Sequence, residues 1–149
     1  MKIKVYTKLT RGAELPVRAT EGAAAVDLRA ALEGGKRVIL PGQRCMIPTG
    51  ISISPEPGDT VVAVIAARSG LAAKNGICLA NGIGVIDSDY RGELTVALLN
   101  TSDRTYTVSD GDRIAQLFFL PVLLADFVEA ETLDETGRGE GGFGSTGVK

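Results

Sequence analysis

The sequence predicts an all-β fold, because many short apolar segments alternate with glycine and proline turns and only one stretch favours a helix. The turn signals include Pro41-Gly42, Thr49-Gly50, Asn81-Gly82 and Asp110-Gly111. Short strands separated in this way are typical of a β-sandwich or a barrel. With 149 residues, the chain is large enough for a single domain with its own core.

The first two strands are expected near the N-terminus. Residues 2–9 alternate apolar and polar side chains, which indicates a half-buried strand. Residues 11–22 contain Gly12 and Pro16 and are expected to form a loop. Residues 23–30 are ambiguous, since alanine favours helix, but the segment is short and two glycines follow it. We therefore expect a strand there, with Asp27 buried or nearly buried.

The remaining strands are expected at close spacing along the chain. They are residues 37–40, 44–48, 51–54, 61–67, 83–86, 94–100, 105–108 and 114–121. One helix is predicted at residues 69–74, where leucine and alanine favour helix and Gly76 would end it. The strands 61–67 and 114–121 are apolar on both faces. In an antiparallel sheet one face usually meets water, so these strands predict contact with another subunit.

Composition and charge exclude several classes of protein. The net charge of −2 gives no overall basic field, so a nucleic-acid scaffold is not expected. The chain contains no histidine, which excludes histidine-based catalytic triads and histidine-ligated zinc. A catalytic base in this chain is therefore expected to be an aspartate or a glutamate.

The cysteine and terminal patterns bear on location. Cys45 and Cys78 lie far apart within apolar stretches, and buried free thiols are expected, with a disulfide left open. No long apolar N-terminal segment indicates a signal peptide, and no stretch reaches the ~18 apolar residues of a membrane span. A cytoplasmic location and no membrane partner are expected.

Two aspartates follow one apolar segment in the middle of the chain. Residues two apart on an extended chain point to the same face, and Asp87 and Asp89 have this spacing, with Tyr90 directly after them. A carboxylate that ends an apolar strand can be held rigidly and partly desolvated, which suits a general base. On this stretch alone the alternative is an ordinary β-hairpin, with Asn81-Gly82 as its turn.

Two other clusters carry polar groups in apolar surroundings. Arg68, Ser69 and Gly70 stand where a strand leads into the predicted helix, and helix N-termini attract anions. The alternatives are a surface salt bridge for Arg68 and a helix N-cap for Ser69. Gln116 lies inside an apolar strand, where its amide needs partners, and the alternative role is a structural hydrogen bond to the backbone.

The C-terminal residues have a different composition from the rest. Six glycines occur between residues 136 and 147, so this part cannot pack a core and is expected to be mobile without a ligand. It also contains Arg138, Phe143, Ser145 and Thr146. Glycines let backbone N–H groups approach phosphate, and arginine matches phosphate geometry. A plain flexible tail is the alternative.

Five segments of the chain, in order, resemble the motifs of the homotrimeric dUTP pyrophosphatase (dUTPase) family. They are residues 24–28 (AAVDL), 68–74 (RSGLAAK), 81–92 (NGIGVIDSDYRG), 111–117 (GDRIAQL) and 138–147 (RGEGGFGSTG). The resemblance covers almost the whole chain. Two positions depart from the common pattern. Residues 24–26 (AAV) stand where the family often has a glycine and then a larger residue before the aspartate, and Ala67 stands where many relatives carry proline.

The resemblance implies hydrolysis of dUTP to dUMP and pyrophosphate, which keeps uracil out of DNA and supplies dUMP for dTMP synthesis. It implies that Asp87 orients and deprotonates the water that attacks the α-phosphorus. It also implies Mg²⁺ on the triphosphate, with no direct protein ligand and with Asp27 as a possible contact through water. The residues fit this chemistry, because phosphoryl transfer is mostly positioning and charge neutralisation.

The resemblance further implies which residues bind the substrate. Asn81 would read the uracil edge, Tyr90 would stack on the deoxyribose and exclude a 2′-hydroxyl, and Val85 and Ile86 would line the site. The phosphate contacts would be Arg68, Ser69, Gly70 and Gln116. The tail would close over the ligand, and its contacting residues would be Arg138, Phe143, Gly144, Ser145 and Thr146.

The implied architecture is a β jelly roll at residues 1–136, with a flexible arm at 137–149 that closes over the active site. The implied assembly is a homotrimer in which each site draws on all three subunits. The nearest enzymatic alternative is a dCTP deaminase of the same superfamily, which the intact residues 84–90 argue against. The alternative outside enzymes is a non-catalytic jelly-roll module, which would need neither Asp87 nor the tail.

Overall fold

A computed structural model describes residues 2–56, 58 and 60–142, and the structural statements below concern these residues. They form eleven strands and one short helix. The strands are β1 (Val5–Leu9), β2 (Val26–Arg29), β3 (Lys36–Ile39), β4 (Arg44–Pro48), β5 (Ile51–Pro55), β6 (Val61–Ala66), β7 (Ile77–Leu79), β8 (Gly84–Ile86), β9 (Thr95–Asn100), β10 (Tyr106–Ser109) and β11 (Arg113–Pro121), and the helix is α1 (Ser69–Asn75).

The strands pair antiparallel in four sheets. A four-stranded sheet has the order β2-β11-β6-β8, and a three-stranded sheet has the order β4-β9-β7. Two further pairs, β1-β5 and β10-β3, complete the structure. The buried core takes alternate side chains from nearly every strand, among them Leu28, Ile47, Ile65, Leu98 and Leu117. Because strands from the separate sheets supply one core, the sheets pack face to face as in a sandwich.

The predicted strand pattern is confirmed with one omission. Each expected strand is present, with ends that match or differ by at most three residues. The helix is also confirmed, and Gly76 ends it in the left-handed conformation at φ 65°. The short strand β7 was not predicted. Its three residues pair with β9, which sequence periodicity cannot reveal over such a length.

The four-stranded sheet has an apolar outer face. Residues directly opposite in an antiparallel pair share a face, and Val64 lies between Val85 on β8 and Phe118 on β11. Leu120 joins this face opposite Val62, and it is 47% exposed, while Val85 is 61% exposed. This is the second apolar face of β6 and β11 that the sequence indicated, and one copy of the chain leaves much of it uncovered.

Beyond β11, the described chain continues through residues 122–142 without a helix or strand. We call residues 122–135 the acidic segment, because it carries five carboxylates and no lysine or arginine. From Leu123 onward its large apolar side chains are nearly fully exposed, with Leu123 at 96% and Phe127 at 97%. Apolar side chains of this size usually find a cover, and the fold of one chain provides none for these.

Both cysteines are free thiols, and each is partly rather than fully buried. Cys45 lies on β4 and Cys78 on β7, and these strands flank β9. Because β9 lies between them, the two cysteines are separated by two strand spacings, or roughly 10 Å in total. This distance exceeds the reach of a disulfide, so the open alternative of a Cys45–Cys78 bond is excluded in one chain. In the described part of the chain, no helix has the length and apolar character needed to cross a bilayer.

Candidate active site

Two arginines converge on Asp27 at one end of the four-stranded sheet. Arg68 Nε donates to Asp27 Oδ1 at 2.8 Å, and Arg113 Nη1 donates to Asp27 Oδ2 at 3.3 Å. The side chains of Asp27 and Arg68 are 27% and 28% exposed, so Asp27 is only partly buried, whereas we expected it to be buried or nearly buried. Two cations around one carboxylate leave a local positive charge, which favours an anionic ligand.

Gln116 lies beside this group through the register of the sheet. It is opposite Asp27 on β2 and opposite Ala66 on β6, so the three share the outer face. Its Nε2 donates to the Ala67 carbonyl oxygen at 2.9 Å. The structural role considered for Gln116 is therefore present, and the same hydrogen bond holds its amide next to Arg68.

Helix α1 begins directly after Arg68, with Ser69 as its first residue and Arg68 in the N-cap position. No side chain caps the helix, so the capping role considered for Ser69 is not the one that it takes. Ser69 and Gly70 are exposed at the start of the helix. The N–H groups in a first helical turn have no helical acceptors, so they can donate to an external oxygen.

Tyr106 and Asp112 lie close to the same cluster. Burial, together with the negative charge of Asp112, raises the pKa of the Tyr106 phenol, although the positive charge of Arg68 opposes the shift. Asp112 accepts a hydrogen bond from the Ser109 backbone N–H at 2.8 Å. Tyr106 packs against the hydrophobic core, and the Asp112 carboxylate is bound within its own turn.

Asp87 follows the last residue of β8, at the other end of the sheet. It is exposed, and its carbonyl oxygen accepts from the Tyr90 N–H at 3.1 Å. Among the described residues, its carboxylate has no hydrogen bond or ion pair, in contrast to Asp27. The partial desolvation expected for Asp87 is absent in one copy of the chain, and a second molecule or a ligand would have to supply it.

The register shows that Asp87 and Arg68 are far apart within one chain. Ile86 pairs with Ala63, whereas Gln116 pairs with Ala66, so the two rows are three residues apart on β6. Asp87 and Arg68 then extend in opposite directions, which gives a separation of roughly 15–20 Å along the strands. A single chain therefore does not bring the strand-end carboxylate and the cationic cluster together.

Tyr90 is fixed within the loop that joins β8 to β9. Its hydroxyl donates to the Glu93 carbonyl oxygen at 3.3 Å. A methyl group at Gly92 would overlap the Tyr90 ring, with 2.4 Å to the ring carbon Cζ. The ring thus lies directly against the Gly92 backbone. Arg91 Nη1 donates to the Ser88 carbonyl at 2.7 Å, which is a contact within the same loop.

The alternative of an ordinary β-hairpin with Asn81-Gly82 as its turn is wrong, because the strands on either side of this turn do not pair. β8 pairs with β6, and β7 pairs with β9, so these two consecutive strands belong to different sheets. Asn81 is exposed, and its carbonyl accepts from the Ile83 N–H at 2.9 Å. A turn signal such as Asn-Gly fixes the local bend but does not decide which strands pair across it.

Val85 and Ile86 do not share a face of β8. Val85 is on the outer face, whereas Ile86 is packed against the hydrophobic core. Successive residues on a strand alternate in direction, so only Val85 can offer its side chain on the side of Asp87. Ile86 can contribute its main chain there.

The tail residues are only partly described. Arg138 Nε donates to the Gly141 carbonyl at 2.7 Å, within an exposed turn. Phe143, Gly144, Ser145 and Thr146 lie outside the described residues.

The described carboxylates do not form a protein-only metal cage. No three carboxylate or cysteine side chains converge in the described ranges. A cavity of about 460 Å³ lies beside Asp27 and Arg113 under the loop of residues 11–19. Its described lining includes neither Asp87 nor Tyr90. The cavity therefore belongs to the cationic end of the sheet.

Two side chains at these ends were not singled out from the sequence. Arg113 shares Asp27 with Arg68, although its strand is 86 residues away in sequence from Asp27. Glu93 binds the Gly50 N–H at 2.7 Å next to the Tyr90 loop. Both contacts join segments that are distant in sequence. For Glu93, the one available signal in the sequence was its position as a charged residue directly after the segment 81–92.

Solved structures with this architecture identify the class first. The dUTPase of Staphylococcus bacteriophage 80alpha, solved with dUPNHPP, matches at a TM-score of 0.86 and 26% identity, over 97% of this chain and 99% of that chain. A mutant dUTPase of phage phi11 of S. aureus matches at a TM-score of 0.77 and 22% identity, over 91% and 100%, which shows likeness of fold alone. The fold is that of these dUTPase structures, which confirms the expected jelly roll.

Sequence relatives then identify the family. The dUTPase family model matches residues 11–147. A deoxyuridine 5'-triphosphate nucleotidohydrolase of Desulfitobacterium hafniense (strain DSM 10664 / DCB-2) is 55% identical over 99% of this chain and 97% of its own length. The chain belongs to the dUTPase family. The prediction of a dUTP-hydrolysing enzyme is confirmed.

Proposed function

We propose that this protein hydrolyses dUTP to dUMP and pyrophosphate by attack of water on the α-phosphorus, with Asp87 as the general base. Asp87 would take a proton from the water as its oxygen bonds to phosphorus. The bond from the α-phosphorus to the bridging oxygen would then break, and pyrophosphate would leave. The observation that carries this proposal is the exposed, unbonded carboxylate at the end of β8, within the described residues.

The phosphates would bind at the opposite end of a sheet, on Arg68, Ser69, Gly70 and Gln116. Arg68 has a fixed position because Asp27 holds its Nε and the Arg113 carbonyl accepts from its Nη1 at 3.2 Å, and its other N–H groups can donate to phosphate. Gln116 has one further amide N–H and its carbonyl oxygen. The exposed start of α1 adds backbone donors.

The base and the sugar would bind near the β8–β9 loop. Asn81 and neighbouring main-chain groups would read the uracil edge, and Tyr90 would lie against the deoxyribose. The Tyr90 ring has little freedom to move, because Gly92 supports it and Glu93 accepts its hydroxyl. A fixed ring can exclude a 2′-hydroxyl by its position. Val85 and the main chain of Ile86 would line the wall next to Asp87.

The site would be completed between copies of the chain in a homotrimer. Asp87 and Arg68 lie too far apart to act on one triphosphate within one copy, so the carboxylate of one subunit would face the arginine of another. The apolar outer face of β6, β8 and β11 and the exposed apolar side chains of the acidic segment support such contacts. The same contacts would bury Asp87 and give it the desolvation that one copy lacks.

The Gly-rich tail would supply the last part of the site. Residues 1–136 would form the jelly-roll domain, and residues 137–149 would close over the bound nucleotide, with Phe143 on the uracil ring. Arg138, Ser145 and Thr146 would meet the terminal phosphate, with Gly144 allowing close approach. Closure of this kind excludes water and completes the set of contacts.

Mg²⁺ fits this arrangement as an ion carried on the triphosphate. The described residues offer no cage of three ligands, and Asp27 already binds two arginines, so it would reach the ion through water at most. When bound, the ion would neutralise negative charge on the phosphate oxygens. The solved phage phi11 dUTPase mutant coordinates a structural Mg(II) ion, which is a property of that protein. The cytoplasmic location also stays a prediction.

Product analysis with Mg²⁺ and four nucleotides in parallel tests this function. We expect dUMP and pyrophosphate from dUTP, and little turnover of dTTP, UTP or dCTP. Deamination of dCTP would place the protein with the deaminases instead. Nucleotide binding without turnover of any of the four would support a non-catalytic module and contradict the proposal.

A further inference from the structure

The side chain of Glu93 ties the end of the Tyr90 loop to a distant turn. Glu93 Oε1 accepts the Gly50 N–H at 2.7 Å, across 43 residues of sequence. Glu93 Oε2 lies 3.6 Å from Arg11 Nε. The Glu93 side chain is 28% exposed, so the short hydrogen bond is partly shielded from water. A charge-assisted hydrogen bond in such a position is stronger than an exposed ion pair.

Gly50 is itself held rigidly, which makes it a firm point of attachment. Its φ is +68°, and a methyl group there would lie 2.4 Å from the Thr10 carbonyl oxygen. Its own carbonyl accepts the Thr10 N–H at 2.8 Å. The neighbouring Thr49 hydroxyl, which is buried, donates to the Leu94 carbonyl at 2.6 Å. The Thr49-Gly50 turn thus forms hydrogen bonds with both Glu93 and Leu94.

The bonds inside the loop do not replace this attachment. The Tyr90 N–H binds the Asp87 carbonyl, and Arg91 binds the Ser88 carbonyl, so both bonds join residues of the same loop. They keep the shape of the loop but do not fix where it stands. The Tyr90 hydroxyl donates to the Glu93 main chain, and its ring rests on Gly92. Movement of residue 93 would therefore move the ring.

We propose that Glu93 is a positioning residue, which places the Tyr90 ring through its bond to Gly50 and so sets discrimination between deoxyribose and ribose substrates. This inference rests on the proposed function, in which Tyr90 lies against the sugar. A ring that is free to shift would leave space for a 2′-hydroxyl, so loss of the anchor would act on specificity rather than on all substrates equally.

The two contacts of the Glu93 carboxylate make different predictions. The Gly50 bond needs only an acceptor oxygen, which a glutamine retains, whereas the contact with Arg11 needs a charge. Arg11 is largely exposed and also pairs with Glu33 at 3.1 Å. An exposed ion pair at 3.6 Å contributes little, so the Gly50 bond should dominate. Glu93→Gln and Arg11→Ala should therefore stay near the unaltered protein, and Glu93→Ala should not.

The test compares kcat/KM for dUTP and for UTP in the assembled protein. For Glu93→Ala we expect the ratio of the two values to fall by about tenfold, through a larger loss for dUTP together with a gain for UTP. Glu93→Gln should keep the ratio within about threefold of that of the unaltered protein. Glu56→Ala is the matched control, because Glu56 is a glutamate in an exposed pair with Lys4 away from this loop.

A second variant keeps the inference open to disproof if Glu93→Ala fails to fold. Tyr90→Phe removes the hydroxyl that binds the Glu93 carbonyl and leaves the anchor untouched. We expect its ratio to fall as well, because the ring loses its hydrogen bond to residue 93. An unchanged ratio in Tyr90→Phe would overturn the inference.

The remaining outcomes separate this inference from the proposed function. Equal losses for dUTP and UTP in Glu93→Ala would mean a purely structural role and would overturn the inference alone. The same holds for an unchanged ratio. Absence of dUTP turnover in the unaltered protein would overturn the proposed function, and this inference with it.

Discussion

At the β2 end of the four-stranded sheet, charged side chains are bound to one another, whereas at the β8 end the key carboxylate stands alone among the described residues. Asp27 binds two arginines, and Gln116 binds the backbone next to them. Asp87 is exposed and has only its main chain engaged. The difference shows that one chain preorganises the proposed phosphate-binding site but leaves the proposed site of the attacking water incomplete.

This contrast has a physical reason. A cluster that must bind a multiply charged anion can be rigid before binding, because its arginines are held by a carboxylate. A general base needs a raised or tuned pKa, and burial by another molecule is an effective way to obtain it. Subunit assembly can thus complete the second end without disturbing the first.

Replacement of Asp87 should have the largest effect. Asp87→Asn removes the base but leaves the cationic cluster intact, so kcat should fall by about a thousandfold with nucleotide affinity nearly unchanged. Single-turnover kinetics and equilibrium binding of a non-hydrolysable dUTP analogue would measure the two quantities. Asp89→Asn, two residues further along the loop, is the matched control. Loss of binding in Asp87→Asn would assign Asp87 to structure instead.

Removal of the tail should have the next largest effect. A protein that ends at residue 136 keeps both ends of the sheet but loses the closing contacts, so we expect about a hundredfold lower kcat. Its oligomeric state and melting temperature should match those of the full chain. Sedimentation and thermal unfolding would check this. Unfolding on truncation, or full activity, would contradict the assignment of residues 137–149 as an arm.

Mixed assemblies would show directly that the two ends belong to different copies. Asp87→Asn and Arg68→Ala should each be nearly inactive. Co-refolded in equal amounts, they should regain about one quarter of the normal activity, since a random quarter of shared sites would have both residues intact. Each variant refolded alone is the control. If mixing restored nothing, the sites would not be shared in this way.

Weakening of the Asp27 cluster at the β2 end should lower the free energy of unfolding by a modest amount. Asp27→Asn leaves Arg68 and Arg113 without a countercharge in a partly buried place, and we expect about 1 kcal/mol less unfolding free energy. Urea denaturation would measure it. Asp103→Asn is the control, since Asp103 pairs with Arg104 at 3.9 Å in full exposure. Equal effects of the two substitutions would show that the Asp27 cluster adds no stability.

The smallest effect should concern acid stability near the same end. Hydrogen bonds from the Leu32 N–H at 2.6 Å and the Gly34 N–H at 2.9 Å hold the pKa of the Asp110 carboxyl below its usual 3.8. A pKa lowered by folding contributes stability above the unfolded value, and this is lost as the pH falls through the folded value. The stability advantage over Asp110→Asn should thus be present at neutral pH and vanish below pH 3.8. Urea midpoints across this range would check it, and a constant difference would contradict it.

The positions of most strands along the chain could be predicted because they depend on local sequence patterns. Turn glycines, alternating residues in β1 and the nearly unbroken apolar run of β11 each act within a few neighbours. The helix α1 ended at Gly76 for the same reason, since only its left-handed φ of 65° was needed. β7 was missed because three residues carry no period, and its existence depends on its pairing with β9.

The site shows the same division. The motif residues, including Asp87, Arg68 and Tyr90, could be named from the sequence because the chemistry depends on residue type and spacing along short segments. Only the tertiary structure decided that β8 pairs with β6, that Arg113 shares Asp27 with Arg68, and that Glu93 reaches Gly50. These contacts join residues from 19 to 86 positions apart, as with Ile65–Gly84 and Asp27–Arg113. No local pattern encodes such distances, because they follow from how the whole chain buries its apolar faces.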